Sequence, residues 1–232
     1  MIGEPAIHLW LHGADTSVPQ AMLACLTDAE RSQALRFHRP QDRMQRLATA
    51  SYKRMLLARA LECDPAALRF GAHPQGKPCM VPGDGPFASL EFNVSHTDGA
   101  IAVAIGATAL GVDIEYTGAS EFEWDLAPVC FNLAERDTLA AVRAVQRSDH
   151  AYALWTRKEA LLKATGQGLA VSPLEVDTGV SAGASVFDTR VVSFGQRHWR
   201  IETQRIEGQW IVSIATLAGA SSARWYIEAP NP

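Results

Sequence analysis

The hexapeptide Leu-Gly-Val-Asp-Ile-Glu at residues 110–115 constrains the fold of this chain more than any other segment. Residues two apart on a β-strand project to the same face, so Val112 and Ile114 can enter a core while Asp113 and Glu115 stand together on the other face. Two carboxylates that converge in a partly buried place repel each other unless a cation is present. The pattern predicts a buried strand that opens onto a polar cleft. A surface strand with two solvated acids is the alternative.

A second segment, Trp-Thr-Arg-Lys-Glu-Ala-Leu-Leu-Lys at residues 155–163, predicts a helix. Residues three and four apart share a helix face. One broad stripe is therefore expected to hold Trp155, Lys158, Glu159 and Lys163. Glu159 and Lys163 alone would make the ordinary pair of an exposed helix, but a tryptophan on that face favours a site. With the acidic pair, the segment offers three carboxylates and two ammonium groups, a set suited to a divalent cation and a phosphorylated substrate.

Length and composition indicate a globular protein of one large domain or two small ones. The chain has 232 residues, of which 47% are hydrophobic and 20% charged. We expect neither a membrane-spanning segment nor a secretory signal, because no apolar run reaches about 20 residues and the N-terminus lacks a basic region before an apolar one. The four cysteines are far apart, which argues against a zinc site or a disulfide framework and favours the cytoplasm.

The charge is unevenly distributed around a net value of −4. Residues 31–59 contain eight basic side chains and one acid, whereas residues 111–137 contain seven acids and one base. Two solvated helix faces of opposite sign would explain this pattern. The alternative is a basic segment for phosphates and an acidic segment for metal, facing one cleft. Nucleic acid is not favoured as a partner, because no aromatic residues are interleaved as in a known nucleic-acid module.

Periodicity predicts an α+β (α/β) fold of two similar halves that meet near residues 107–110. The predicted strands cover residues 7–12, 90–94, 100–105, 110–114, 174–177, 199–203, 210–216 and 224–227. Helices are expected to begin near Thr27, to cover residues 43–61, and to occur two or three times within residues 121–165, closed by Gly166. Residues 71–86, rich in glycine and proline, are expected to be irregular and exposed.

The segment Phe-Asn-Val-Ser-His-Thr at residues 92–97 ends a predicted strand with polar side chains. One interpretation is a turn in which Asn93, Ser95 and Thr97 bond to their own backbone. A lone histidine such as His96 is more often structural than functional.

Taken in order, five motifs make the chain resemble the surfactin-synthetase-type 4′-phosphopantetheinyl transferases. The motifs are Gly-Lys-Pro at 76–78, Phe-Asn-Val-Ser-His at 92–96, Gly-Val-Asp-Ile-Glu at 111–115, the segment 155–163, and Gly-Gln-Gly-Leu at 166–169. The resemblance implies a pseudo-twofold protein of two similar subdomains, 1–108 and 109–232, acting as a monomer with coenzyme A in the cleft between them. It also implies Mg²⁺-dependent transfer of phosphopantetheine from coenzyme A to a serine of an apo acyl or peptidyl carrier protein, releasing adenosine 3′,5′-bisphosphate.

The resemblance also implies roles for particular residues. The implied magnesium ligands are Asp113, Glu115 and Glu159; the implied catalytic residues are Glu159 as the base, Lys163 on the phosphates and leaving group, and Lys158 beside it. Contacts to the nucleotide of coenzyme A and its 3′-phosphate are implied for Lys77, Ser95 and His96. Coenzyme A contacts are also implied for Asp113, Lys158 and Lys163 and for the N-terminal Arg31, Arg43 and Arg46, and the sequence does not tell which N-terminal basic residues contact the 3′-phosphate. Glu135 matches a further acid of the family. The N-terminal part departs from the pattern. Glu30 and Gln33 stand where some members carry lysines, and Gln45 stands where an arginine is expected.

Two other functions remain open at this point. One is a non-catalytic regulator that binds coenzyme A, and the other is a metal-dependent hydrolase of the coenzyme A pyrophosphate. The sequence does not name the carrier protein, because fatty-acid, polyketide, nonribosomal-peptide and siderophore pathways all present a similar serine.

Overall fold

The computed structural model describes residues 4–13, 17–81, 90–118 and 121–228. Its strands are β1 Ala6–Leu11, β2 Phe70–Ala72, β3 Pro78–Met80, β4 Glu91–Thr97, β5 Ala100–Gly106, β6 Leu110–Tyr116, β7 Thr189–Phe194, β8 Arg197–Ile206, β9 Trp210–Leu217 and β10 Arg224–Glu228. Its α-helices are α1 Gln20–Ala24, α2 Asp28–Ala34, α3 Pro40–Ala60, α4 Ala127–Cys130, α5 Leu133–Ala141 and α6 Ala144–Thr165. These elements confirm the predicted α+β class. None of the described helices is long and apolar enough to span a membrane.

Two four-stranded sheets form the centre of the molecule. The first has the order β10-β1-β5-β4 and the second the order β6-β9-β8-β7, while β2 and β3 form a separate hairpin. Every pair is antiparallel except β1 with β10, which run parallel. The last strand of the chain, β10, belongs to the first sheet, whose other strands all come from the N-terminal half. The two sheets therefore do not correspond to two continuous segments of the chain. The subdomain boundary at residue 108 stays a prediction.

Each sheet is covered by one long helix, and the sheets share a core. Tyr52 and Leu56 of α3 pack on the first sheet, and Ala160 and Leu161 of α6 pack on the second. Between the sheets, Ile7, Leu9 and Ala102 meet Val112, Ile114 and Val212, which are almost fully buried. Val112 and Ile114 therefore enter the core as predicted, and the alternating positions of β6 face α6.

Local signals at two helix ends fold as the sequence indicates. Thr27 caps α2 in a reciprocal capping box with Glu30. Gly166 ends α6 in the left-handed conformation with φ 72°, which a glycine adopts without steric cost. The helix predicted at 43–61 begins earlier, at Pro40, because proline is well suited to a first turn.

Two predictions about irregular and extended segments are wrong. Residues 71–86 are not irregular throughout, since Phe70–Ala72 and Pro78–Met80 pair as a hairpin; residues 82–89 lie outside the described part. Residues 174–177 are not a strand, because a short 3₁₀ turn covers Pro173–Glu175, where Ser172 caps the backbone of Leu174. The sequence also failed to indicate β7, whose alternation of exposed and half-buried residues leaves only a weak apolar pattern.

Candidate active site

Polar side chains of β4 join the edges of the two sheets. The bonds run from Val112 N to Asn93 Oδ1 at 2.9 Å, from Ser95 Oγ to Asp113 Oδ1 at 2.8 Å, and from Tyr116 N to Thr97 Oγ1 at 3.2 Å. The interpretation in which these three side chains bond to their own backbone is therefore wrong. Residues two apart on β4 face β6, so side chains take the place of a main-chain ladder between the sheets.

Gly111 allows α6 to approach β6 closely. A Cβ atom at this position would collide with Ala160 O and Ala164 N and would lie 2.9 Å from the carbonyl carbon of Lys163. A side chain here would push the helix away from the strand. The glycine therefore sets how near Glu159 and Lys163 come to the acids of β6.

Lys163, Asp113 and Ser95 form a compact polar cluster. Lys163 Nζ donates to Asp113 Oδ1 at 2.6 Å and to Ser95 Oγ at 3.1 Å. The Asp113 side chain is 6% exposed and the Lys163 side chain 27% exposed, so the ammonium lies between a buried carboxylate and solvent. Asp113 Oδ2 is buried and has no hydrogen-bond partner among the described residues. One face of the carboxylate is thus left without a donor.

Glu115 and Glu159 complete the acidic part of the site. Burial, with the charge of Asp113 next in importance, raises the pKa of Glu115 to about 7, although Trp155 Nε1 donates to Glu115 Oε1 at 3.2 Å and opposes the rise. Burial and Asp113 likewise raise the pKa of Glu159, while Lys163 opposes the rise. Three partly buried carboxylates therefore face one ammonium group, and their negative charge is incompletely compensated. Trp155, whose position on this face the sequence indicated, orients Glu115.

The carboxylates suit a cation but do not converge on one point. Across the described residues, no group of three or more His, Cys, Asp or Glu side chains is arranged to hold a metal ion. The unpartnered Asp113 Oδ2 and the raised pKa values of Glu115 and Glu159 are what a divalent cation would relieve. The donor set consists of oxygens alone, which is the chemistry that Mg²⁺ prefers.

Lys158 does not lie in this cluster, and the expectation that it stands beside Lys163 at the phosphates is wrong. Its side chain is fully buried, and Nζ donates to Glu135 Oε2 at 2.6 Å, to Pro173 O at 2.8 Å and to Cys130 O at 3.2 Å. Glu135 also closes the capping box of α5 with Asn132. All three donors of the ammonium group are used, so Lys158 ties α4, α5 and the 173 turn to α6.

A cavity of about 880 Å³ adjoins the acidic cluster. The ends of β1, β4, β6 and β9 and the first turns of α3 line it, and the lining includes His12, Gln45, His96, Asp98, Tyr116 and Trp210. His96 and Tyr116 follow Ser95 and Glu115 directly along their strands. Residues of both halves of the chain therefore line the cavity, and its wall follows the polar cluster along β4 and β6.

The remaining residues implied for coenzyme A lie at different places around the cavity. His96 lies on its wall, and desolvation and the nearby charges of Lys163 and Arg46 lower the pKa of His96. Lys77 Nζ donates to Leu110 O at 2.9 Å and lies 3.6 Å from Glu91 Oε2, so it holds the start of β6. The three arginines are not among the lining residues; their contacts are Arg31 with Leu23 O, Arg43 with Phe37 O and His38 O, and Arg46 with Gln33 Oε1.

Comparison with known proteins agrees with this geometry. Residues 109–215 match the family model described as 4′-phosphopantetheinyl transferase superfamily, and residues 15–108 match the model of the N-terminal region of 4′-phosphopantetheinyl transferases. A Synechocystis protein that carries the name 4′-phosphopantetheinyl transferase is 32% identical over 207 residues, which cover 88% of this chain and 81% of that protein.

Two further relatives carry related names. The 4′-phosphopantetheinyl transferase Sfp of Bacillus subtilis is 30% identical over 67% of this chain and 66% of its own length. The L-aminoadipate-semialdehyde dehydrogenase-phosphopantetheinyl transferase of Schizosaccharomyces pombe is 33% identical over 65% of this chain and 63% of its own length.

Proposed function

The chain belongs to the 4′-phosphopantetheinyl transferase superfamily and is an enzyme of that activity, and we propose that it is a surfactin-synthetase-type member acting on coenzyme A. In this proposal, phosphopantetheine moves from coenzyme A to a serine of an apo acyl or peptidyl carrier protein in the presence of Mg²⁺. The second product is adenosine 3′,5′-bisphosphate.

The polar cluster of Lys163, Asp113 and Ser95 carries the proposal. It brings an ammonium group and a carboxylate within 2.6 Å of each other, and His96, the residue after Ser95, lines a cavity that has room for a nucleotide. Glu115 and Glu159 add two more partly buried carboxylates beside it. A pyrophosphate substrate needs positive charge and positioning above all, and a divalent cation beside the three carboxylates would supply the positive charge that Lys163 alone does not.

In the proposed reaction, different residues act on the serine, the phosphates and the leaving group. The serine oxygen of the carrier forms a bond to the phosphorus that carries the pantetheine, and the bond from that phosphorus to the oxygen of adenosine 3′,5′-bisphosphate breaks. Glu159 takes the proton of the serine hydroxyl, directly or through a water, and its raised pKa improves the match to such a base. Lys163 stabilises the charge on the phosphate oxygens and the leaving group, and Ser95 orients Asp113.

The proposed magnesium ligands are Asp113, Glu115 and Glu159. When bound, Mg²⁺ supplies neutralisation of the pyrophosphate charge. The supporting observations are the unpartnered Asp113 Oδ2 and the raised pKa of Glu115. Trp155 holds Glu115 in place by its indole N–H.

A mass assay with carriers of four kinds tests the proposal. The purified protein is incubated with coenzyme A, Mg²⁺ and one apo carrier from a fatty-acid, polyketide, nonribosomal-peptide or siderophore pathway. At least one carrier is expected to gain the mass of one phosphopantetheine. Unmodified carriers in all four reactions, with a folded enzyme, would contradict it. Release of adenosine 3′,5′-bisphosphate without a carrier would instead identify a hydrolase, and coenzyme A binding indifferent to Mg²⁺ and to Glu159→Ala would identify a regulator.

We also propose that the enzyme works as a monomer in a reducing, cytoplasmic environment. All four cysteines are free thiols, which supports the reducing environment. Sedimentation of the protein in the presence and absence of coenzyme A measures the oligomeric state.

A further inference from the structure

A chain of buried polar side chains lies between α6 and the second sheet. Thr156 Oγ1 of α6 lies 2.8 Å from Ser213 Oγ of β9, and Ser213 Oγ lies 3.0 Å from Thr203 Oγ1 of β8. Arg157 Nε, again from α6, donates to Thr203 Oγ1 at 3.0 Å. Thr156, Arg157 and Ser213 are fully buried, and Thr203 is 2% exposed. The proposed reaction gives none of these side chains a task.

The direction of each hydrogen bond in this chain follows from counting protons. The Thr156 hydroxyl donates its one proton to Ala153 O at 3.2 Å, so it accepts from Ser213. Ser213 has then used its own proton, so Thr203 must donate to it. Thr203 accepts in turn from Arg157, whose guanidinium can only donate. A buried network that is satisfied in a single arrangement specifies one packing of the elements it joins.

The hydroxyl pair is the middle of three layers in which α6 packs on β9. In order along α6, the layers are Ala153 with Ile211, Thr156 with Ser213, and Ala160 with Ala215. The two outer layers are apolar, and apolar attraction has no preferred direction. A hydroxyl pair, by contrast, requires a particular distance and angle. The middle layer therefore sets how far along its axis, and in which rotation, α6 lies on the sheet.

This polar layer lies level with the acidic cluster. Ser213 is the direct partner of Asp113 in the pairing of β9 with β6. Thr156 precedes Glu159 by three residues, which makes the two residues neighbours on the surface of α6. A shift or rotation of α6 at this layer would therefore move Glu159 relative to Asp113.

The arginine end of the chain is anchored to a third part of the molecule. Arg157 Nη2 donates to Asp188 Oδ1 at 2.9 Å and to Val186 O, and Nη1 donates to Gly179 O at 3.3 Å. These partners lie in the connection that leads to β7. The guanidinium is thus held in place from outside the sheet, which leaves the hydroxyl chain little freedom to rearrange.

Resting on the transferase function above, with Glu159 as its base, we propose that Thr156, Ser213 and Thr203 are positioning residues for Glu159. They hold α6 in the register in which the Glu159 carboxylate meets the serine of the carrier. A displacement of about 1 Å can cost about a hundredfold in rate, and one lost hydroxyl contact is expected to cost about tenfold. The loss falls mainly on kcat, because the three hydroxyls act through the position of the helix and not on the donor.

The first test removes the hydroxyl from the helix side. Thr156→Val keeps the branched shape and is expected to lower kcat about tenfold, while the KM for coenzyme A changes by less than about threefold. Thr156→Ser restores the hydroxyl and is expected to keep kcat within about threefold of the native value. Thr216→Val, at a buried hydroxyl of β9 without a described partner, is the matched control and should retain native kcat.

These variants overturn the inference in three ways. A loss of kcat below about threefold in folded Thr156→Val would mean that the hydroxyl does not position the base. Equal losses in the Val and Ser variants would mean that the methyl packing matters and the hydroxyl does not. A rise in KM as large as the fall in kcat would place the effect on binding of the donor.

The second test removes the contact from the strand side. Ser213→Ala is expected to lower kcat about tenfold, and the double variant Thr156→Val, Ser213→Ala also about tenfold and not about a hundredfold, because both changes break the same contact. Ser51→Ala is the matched control, since this buried hydroxyl bonds only to Leu47 O and Ala48 O of its own helix. Additive losses would show that the two hydroxyls act separately, and would overturn the inference.

A third readout needs no transfer. Trp155 of α6 donates its indole N–H to Glu115 of β6, so the ¹⁵N–¹H resonance of that indole reports where the helix lies on the strand. The resonance, assigned with Trp155→Phe, is expected to move in Ser213→Ala and to stay in Ser51→Ala. An unmoved resonance in Ser213→Ala overturns the inference.

The same resonance separates the two proposals. If the native enzyme modifies no carrier, the proposed function has failed, and the resonance alone decides whether the hydroxyls fix the position of α6. If Thr156→Val does not fold, Ser213→Ala decides by the same limits. Failure of both variants to fold overturns the inference, because the hydroxyls would then support the fold itself.

Discussion

Lys163 Nζ lies 2.6 Å from Asp113 Oδ1, and this contact joins the C-terminal part of α6 to the strand β6 that crosses the centre of the molecule. Ser95 reinforces it from the first sheet, because its hydroxyl donates to the same oxygen of Asp113 and accepts from Lys163. Three elements that are far apart in sequence therefore meet at one carboxylate.

Asp113→Asn is expected to lower the transfer rate about a thousandfold while the protein stays folded. The amide keeps an oxygen for Ser95 and Lys163 but removes the charge that the ammonium group and a cation require. Transfer is measured by the mass of the carrier, and folding by circular dichroism. Thr117→Val, a change at a partly exposed hydroxyl that bonds only to Gln209 O, serves as the control. Full activity of the Asn variant would mean that the Asp113 carboxylate has only a structural role where α6, β4 and β6 meet.

Glu159→Gln is expected to lower kcat by between about a hundredfold and ten thousandfold, since the amide cannot accept the serine proton. Because Glu159 is also a proposed magnesium ligand, binding of coenzyme A without a carrier is expected to weaken as well, but by much less than kcat falls. Stopped-flow transfer and equilibrium titration measure the two quantities. A variant that loses coenzyme A binding and transfer in equal proportion would show that Glu159 positions the donor and does not act as the base.

Lys158→Met and Lys163→Met make a matched pair in one helix. Loss of Lys158 leaves the buried Glu135 carboxylate unpaired, so the free energy of unfolding is expected to fall by about 3–5 kcal/mol. Loss of Lys163, which is partly exposed and leaves the buried Asp113 with the Ser95 hydroxyl as a donor, should cost less stability than loss of Lys158 but most of the activity. Urea unfolding and transfer assays at a temperature where both variants are folded measure the contrast. In the double variant Lys158→Met, Glu135→Leu, part of the lost stability is expected to return.

The same pair of lysines shows where prediction from the sequence stopped. Helical periodicity placed Trp155 and Lys163 on the face of Glu159 correctly. With about 100° per residue, however, Lys158 lies about 140° from Lys163 around the helix. Trp155 and Glu159 lie on the arc between them, so the two ammonium groups fall at opposite edges of that face. Whether Lys158 or Lys163 pairs with Glu135 depends on where α5 packs against α6. The helical period of the sequence does not contain that information.

The pairing of strands that are far apart in the sequence was also not predictable. The β6 strand was predictable because its alternation is local and strong. The sequence contains no local signal that β10 should lie parallel to β1 at the far end of the first sheet.

Gly111→Ala is expected to destabilise the protein by at least about 1–3 kcal/mol and to lower transfer at the same time. The added methyl group would collide with the backbone of α6 at Ala160 and Ala164, and backbone cannot move aside as a flexible side chain can. Gly219→Ala is the matched control, because a Cβ there meets no atom within 4 Å. Thermal unfolding and the carrier assay measure both effects. Equal stability and equal transfer activity of the Gly111→Ala and Gly219→Ala variants would contradict the close approach of α6 to β6.

His8 should make the stability of the protein fall in mild acid. The ring is 9% exposed, stacks on Tyr226 at 4.7 Å between centroids, and has no described partner for Nδ1. Burial, with a smaller contribution from the charge of Arg59, lowers the pKa of His8 from 6.5 to about 4. The unfolded chain therefore binds a proton between these values while the folded chain does not. The stabilisation is complete above about pH 6.5 and is lost progressively as the pH falls toward 4.

For His8 alone, this linkage amounts to about 2 kcal/mol at pH 5 and about 3 kcal/mol below pH 4. His8→Phe retains an aromatic ring against Tyr226 and cannot titrate. The free energy of unfolding of this variant is expected to fall less between pH 7.5 and pH 5, by about 2 kcal/mol, than that of the native chain. Urea unfolding at the two pH values measures the difference. His198→Phe, at an exposed position of β8, is the control, and identical pH slopes for the native chain and His8→Phe would show that His8 becomes protonated in the folded state.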